Sequence, residues 1–121
     1  MEKVMNEVQS KLTLSPEEGQ KLNKLLQTIE TELNQLGLEM NFNQWIALSV
    51  HLVNLIRRIE DLDTVPGIDQ SLWDQLSQQS IELSFCLLEP LKEKLEDPHY
   101  LSEVFLLAVH LEGASKVKGG E

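Results

Sequence analysis

From Leu22 onward the apolar residues of this chain recur at intervals of three and four, and no stretch alternates apolar and polar residues between hairpin turns. Three-and-four spacing puts side chains on one face of a helix, whereas a half-buried strand needs a period of two. The chain is therefore expected to be all-α, a compact bundle of about five helices. The first long helix follows Ser15-Pro16-Glu17-Glu18, with Ser15 as N-cap, Pro16 at the first helical position and acids in the first turn. Its stripe is Leu22, Leu25, Leu26, Ile29, Leu33 and Leu36, and Gly37 is placed to end it. A second helix begins after Asn41-Phe42-Asn43, capped by either asparagine, and carries Trp45, Leu48, Leu52, Leu55, Ile59 and Leu62 before the Pro66-Gly67 loop.

A third helical stretch starts at Asp69-Gln70-Ser71 and runs to Pro90, with a break near Ser77–Ser80 that divides it between two helices. The last helix starts around Asp97-Pro98-His99, with Asp97 capping, and reaches about Leu111 before Gly113. Val4, Met5, Val8 and Leu12 have helical spacing, so residues 1–15 read as a short helix or as an arm that docks on a partner. Residues 16–114 form the expected single domain, and 115–121 a flexible tail.

Two histidines sit inside the most apolar of these segments, His51 within Trp45–Arg58 and His110 within Glu103–Leu111. An imidazole among aliphatic side chains has to be hydrogen-bonded, ligate a metal or take part in chemistry, because an unsatisfied buried polar group costs about 1–3 kcal/mol. On the second helix Ala47, His51, Asn54, Arg58 and Asp61 fall in a line that borders the apolar stripe. On the last helix Glu103 stands two turns before His110. Neither arrangement is a metal pattern, since neither His51 nor His110 has a Glu three or a His four residues away, and no metal or cofactor is expected. Both histidines can equally be core-edge residues satisfied by a backbone carbonyl or carboxylate. His99, beside Pro98 and Tyr100, reads as surface.

The composition excludes other classes. Twenty acidic residues against ten basic give a net charge of −10, which repels phosphate backbones, so direct nucleic-acid binding is not expected. The longest uninterrupted apolar stretch, Val104–Val109, falls far short of a membrane span, and the N-terminus lacks an apolar signal core. Cys86, the one cysteine, lies between Phe85 and Leu87 and reads as a buried reduced thiol, which fits a cytoplasmic protein. There is no Gly-rich phosphate loop, nucleophile elbow or His-Glu-x-x-His motif, and an enzyme is not expected. Arg57-Arg58 could close on an anion, although Glu60, Asp61 and Asp63 beside it offer salt-bridge partners.

The run Leu48-Ser49-Val50-His51-Leu52-Val53-Asn54-Leu55-Ile56-Arg57-Arg58 resembles the first histidine motif of the PTS regulation domain (PRD): an apolar segment, His-Leu or His-Ile, then Arg seven residues after the His. The run Glu103–Leu111 resembles the second motif, with Glu seven residues before the His. The two motifs stand in the right order, about sixty residues apart, and the resemblance covers roughly Pro16 to Ala114.

The resemblance implies a PRD-like helical bundle that dimerises. It also implies histidines phosphorylated by a phosphocarrier or a sugar-specific component of the bacterial sugar phosphotransferase system. By position, His51 and His110 are then the phosphoacceptors, Arg58 and Glu103 their motif companions, and Asn54 a supporting residue. Phosphate on His51 would recruit Arg58, and phosphate on His110 would repel Glu103. PRD regulators usually carry two such domains behind a nucleic-acid-binding module. This chain has one, so the resemblance points to a stand-alone regulatory module acting through itself or another regulatory protein. The competing expectation is a constitutive helical dimerisation or scaffold protein with structural histidines.

Overall fold

A computed structural model describes residues 2–61, 70–89 and 97–116, except for the side chains at 70, 97–99, 115 and 116. Among the described residues the chain is all-α, with six helices and one two-residue antiparallel strand pair. The helices are α1 (Glu2–Lys11), α2 (Pro16–Gln35), α3 (Phe42–Glu60), α4 (Gln70–Trp73), α5 (Gln78–Leu88) and α6 (Asp97–Leu111). The strands are β1 (Leu38–Glu39) and β2 (Ser115–Lys116). The chain divides into two units, one of residues 1–56 with 113–121 and the other of residues 57–112.

In the first unit the helix ends follow local chemistry. The Ser15 hydroxyl accepts from the Glu18 N–H at 3.1 Å, and the Glu18 carboxylate accepts from the Ser15 N–H at 2.9 Å. This reciprocal capping box satisfies two N–H groups that the first turn leaves open. Gly37, at φ +70°, supplies the left-handed residue that ends α2. At α3 the cap is Asn41 rather than Asn43: its side-chain oxygen accepts from the Gln44 N–H, and Gln44 returns its own oxygen to the Asn41 N–H, both at 2.8 Å. The Gln44 amide also donates to the Gly113 carbonyl at 2.8 Å, which holds the segment after α6 where Ser115 and Lys116 pair with Glu39 and Leu38. The expected tail thus begins with a strand pair at 115–116, and 117–121 lie outside the described residues.

Buried positions follow the helical stripes. Val4 and Val8 are buried on α1, which is a helix, as one of the two expectations for that segment had it. Leu22, Leu26, Ile29 and Leu33 are buried on α2, and Leu48, Leu52 and Leu55 on α3. Each such side chain contributes about 1.5–3 kcal/mol on leaving water. Trp45 and Ile59 are only half-buried, while Ser49, Val53 and Ile56 widen the covered face of α3. Ser49 enters that interior with its hydroxyl donating to the Trp45 carbonyl at 2.7 Å, so the hydroxyl is satisfied there. Leu62 and the Pro66-Gly67 loop lie outside the described residues.

In the second unit the expected break between two helices falls at Ser77, the N-cap of α5. α5 packs along α6. Tyr100, Val104, Leu107, Ala108 and Leu111 of α6 are buried, as are Leu83, Leu87 and Leu88 of α5. Trp73, Phe85 and Phe105 form an aromatic group: the rings of Trp73 and Phe85 stack with centroids 6.3 Å apart, and Phe105 meets Trp73 edge-on at 5.4 Å. Cys86 corrects an expectation. It is exposed, because the buried stripe of α5 runs through Ser80, Leu83, Ser84, Leu87 and Leu88 and position 86 falls on the opposite side.

Candidate functional site: two histidine helices and a buried ion pair

His51 lies at the middle of α3, half-buried at the border between the covered stripe and solvent, with its Nε2 atom enclosed. Asn54, three residues on, is exposed and faces water. Arg58 follows His51 by two turns on the same helix, roughly 10 Å along the axis at 1.5 Å per residue. His110 lies in the last turn of α6, half-buried, and burial holds its pKa below the ordinary imidazole value. Its neutral form is therefore favoured, and a neutral imidazole carries one donor nitrogen and one acceptor nitrogen.

The structure brings Arg58 and Glu103 together. The Arg58 Nε donates to Glu103 Oε2 at 2.9 Å and Nη2 to Oε1 at 2.7 Å, a two-point contact between residues 45 positions apart in sequence. Only 2 % of the Glu103 side chain and 20 % of the Arg58 side chain are exposed. A buried carboxylate carries a desolvation cost of several kcal/mol, which the planar guanidinium offsets by two charge-assisted bonds in matched geometry. Among the described residues Arg58 pairs with Glu103 on α6, a partner that its sequence neighbours Glu60, Asp61 and Asp63 do not suggest. The pairing also places the motif companions of the two histidines against each other. The contact occupies the Nε–Nη2 edge of the guanidinium, so the Nη1 side remains geometrically able to meet a further anion.

A second polar cluster in this unit had no signal beyond the Ser77–Ser80 break. The Glu112 carboxylate accepts from the Ser77 N–H and the Ser77 hydroxyl, both at 3.0 Å, and the Ser77 hydroxyl bonds the Ser80 hydroxyl at 3.0 Å. The Ser80 hydroxyl and the Ser77 N–H hold the Glu112 carboxyl below its usual range. Glu112 thus completes the α5 cap from the far end of α6, a role that Glu18 fills within its own helix at α2. Tyr100 is buried, and desolvation, reinforced by the charge of Glu89, raises its pKa. The His99 side chain lies outside the described residues.

Among the described residues no group of three or more His, Cys, Asp or Glu side chains could hold a metal ion. No described helix is long and apolar enough to cross a membrane. No family model and no curated protein matches the sequence. Among solved structures, the chain is similar to the crystal structure of a PRD-containing transcription regulator from Lactobacillus casei ATCC 334. The TM-score is 0.74 at 20 % sequence identity, over 88 % of this chain and 90 % of that one. At this identity the likeness is one of fold, and the architecture of the chain is PRD-like.

Proposed function

We propose that this chain is a regulatory module of the bacterial sugar phosphotransferase system. It receives a phosphoryl group on His51, His110 or both from a phosphocarrier or a sugar-specific component, and this modulates its self-association or its binding of another regulatory protein. The observation that carries the reading is the Arg58–Glu103 pair. Two residues named as companions of two separate histidine motifs meet in one buried contact on a PRD-like fold. The half-buried imidazoles are the nucleophiles of this reading, with burial favouring the neutral form of His110, and transfer turns one nitrogen into a phosphoramidate of about −2 charge with strong acceptor oxygens. Next to covered apolar surface, that charge shifts the balance between two packings of the helices, and a cation such as Arg58 is the natural counter-charge. The role is regulatory rather than catalytic.

The enclosed Nε2 atom of His51 favours one second reading, a constitutive scaffold in which the histidines are structural. The two readings part in sedimentation velocity, before and after treatment with phosphoenolpyruvate, the general phosphotransferase enzyme and its phosphocarrier. A change in the association state that is reversed by mild acid, which hydrolyses phosphohistidine, is the expected result. An unchanged sedimentation coefficient in a phosphorylated sample overturns regulation through self-association, and a sample that takes up no phosphoryl group supports the scaffold.

A further inference from the structure

The first turn of α5 takes its acid from α6. α2 carries Glu17 and Glu18 in its own first turn, whereas α5 has no acid there. The positive end of the α5 dipole is met instead by Glu112, whose carboxylate accepts from the Ser77 N–H and the Ser77 hydroxyl. The Ser77 hydroxyl in turn accepts from the Ser80 N–H at 3.2 Å. Glu112 is itself held by α6: its N–H donates to the Ala108 carbonyl at 2.9 Å, so it continues the last turn of that helix. His110 lies in the same turn. One carboxylate therefore joins the end of α6 to the start of α5, two residues from a candidate phosphoacceptor.

Negative charge on His110 acts on this turn in two ways. The C-terminus of a helix is the negative end of its dipole, so a group of about −2 charge in the last turn opposes it, which a neutral ring does not. The ring is also half-buried, and burial already disfavours its charged form, so a phosphoryl group there has to be brought out to water. Both effects loosen the last turn of α6, and Glu112 moves with the backbone of that turn. Residues two apart do not face each other across a helix, so the coupling runs through the turn rather than through a side-chain contact. In the transfer itself a nitrogen of His110 bonds to phosphorus as the bond to the carrier's phosphorylated side chain breaks. The leaving side chain keeps the bonding pair and takes up the proton that the His110 ring gives up.

We propose that negative charge placed on His110 withdraws Glu112 from α5, so that phosphorylation at the end of one helix is read as a lost cap at the start of its neighbour. This rests on the phosphorylation of His110 proposed above. The test is the amide spectrum of the full chain labelled with nitrogen-15, where the Ser77 N–H reports the cap and Glu112→Ala fixes its signal with the cap gone. The phosphorylated chain, with the adduct mapped by mass, is expected to show the Ser77 signal moved most of the way to that reference. The Ser77 and Ser80 amides should exchange roughly fivefold faster, the scale of one lost cap. The Glu18 amide, in the self-contained cap of α2, should stay where it is. His110→Glu, which needs no phosphoryl donor, is expected to reproduce the shift, and His110→Gln, which removes the ring without adding charge, is expected not to. An adduct on His110 with an unmoved Ser77 signal overturns the proposal, as does an equal shift in His110→Gln and His110→Glu. An adduct confined to His51 removes His110 as the input. A chain that takes up no phosphoryl group fails the functional reading, whereas a shift confined to His110→Glu still supports the coupling between the helices.

Discussion

Removing the guanidinium of Arg58 strands a carboxylate that is 2 % exposed. Arg58→Ala should therefore lose about 3 kcal/mol of stability in urea unfolding, the low end for breaking a buried pair because Arg58 keeps some solvent contact. Replacing both partners with apolar residues of similar size, Arg58→Met with Glu103→Leu, should recover most of that loss; if the single variant unfolds within 0.5 kcal/mol of the parent, a scale set by ordinary surface substitutions, the pair contributes little. His110 makes a separate prediction. Burial lowers its folded-state pKa, so between that value and the ordinary 6.5 the unfolded chain binds more protons than the folded one. Stability contributed by the neutral ring is complete above 6.5 and is lost as pH falls toward the folded value. His110→Gln should flatten the stability profile in that window, and an unchanged slope would remove the ring as its source. At this scale the sequence singled out Arg58 and Glu103 but not their contact. Arg58 and Glu103 were both legible from their seven-residue spacing to a histidine, but their pairing spans 45 positions and depends on tertiary approach.

The ends of α2 and α3 were legible because their capping partners lie within four residues. Ser15 with Glu18, Gly37, and Asn41 with Gln44 each settle a terminus by local hydrogen bonding or by a positive φ. The break between α4 and α5 was legible from its serines, whereas the carboxylate that completes it was not, since Glu112 arrives from 35 residues away. Cys86 shows the same limit from the other side. Its apolar neighbours suggested burial, but in a helix it is the residues three and four away that share a face. The α5 cap can be tested by a double-mutant cycle. Ser77→Ala and Glu112→Gln should each cost about 1 kcal/mol, and together less than their sum because each acts through the same hydrogen bonds. Strict additivity would show that Glu112 does not cap α5. The β1–β2 pair had no sequence signal, for a two-residue bridge is too short to show alternation.

For the molecule as a whole, the periodicity of its apolar residues predicted the all-α class. The two histidine motifs predicted the PRD-like architecture that the Lactobacillus casei regulator shares at 20 % identity. Folds persist at such identity because burial at three-and-four spacing needs only apolar side chains of about the right volume. Chemistry is more demanding, since phosphoryl transfer requires a particular nitrogen presented to a donor. The net charge of −10 also bears on this step: an acidic chain meets a phosphorylated carrier most readily if the carrier presents basic residues, so the rate of transfer should fall as ionic strength rises. The measurement that tests the account most directly is the intact mass of the chain at neutral to alkaline pH, after incubation with phosphoenolpyruvate, the general enzyme and its phosphocarrier. It should be run alongside His51→Ala, His110→Ala and the double variant, each confirmed as folded. The account predicts a phosphoryl adduct on the parent chain, lost in one single variant or reduced in each, and absent from the double variant. An adduct that survives in the double variant, or a parent chain left unmodified by a carrier shown to be phosphorylated, would contradict it.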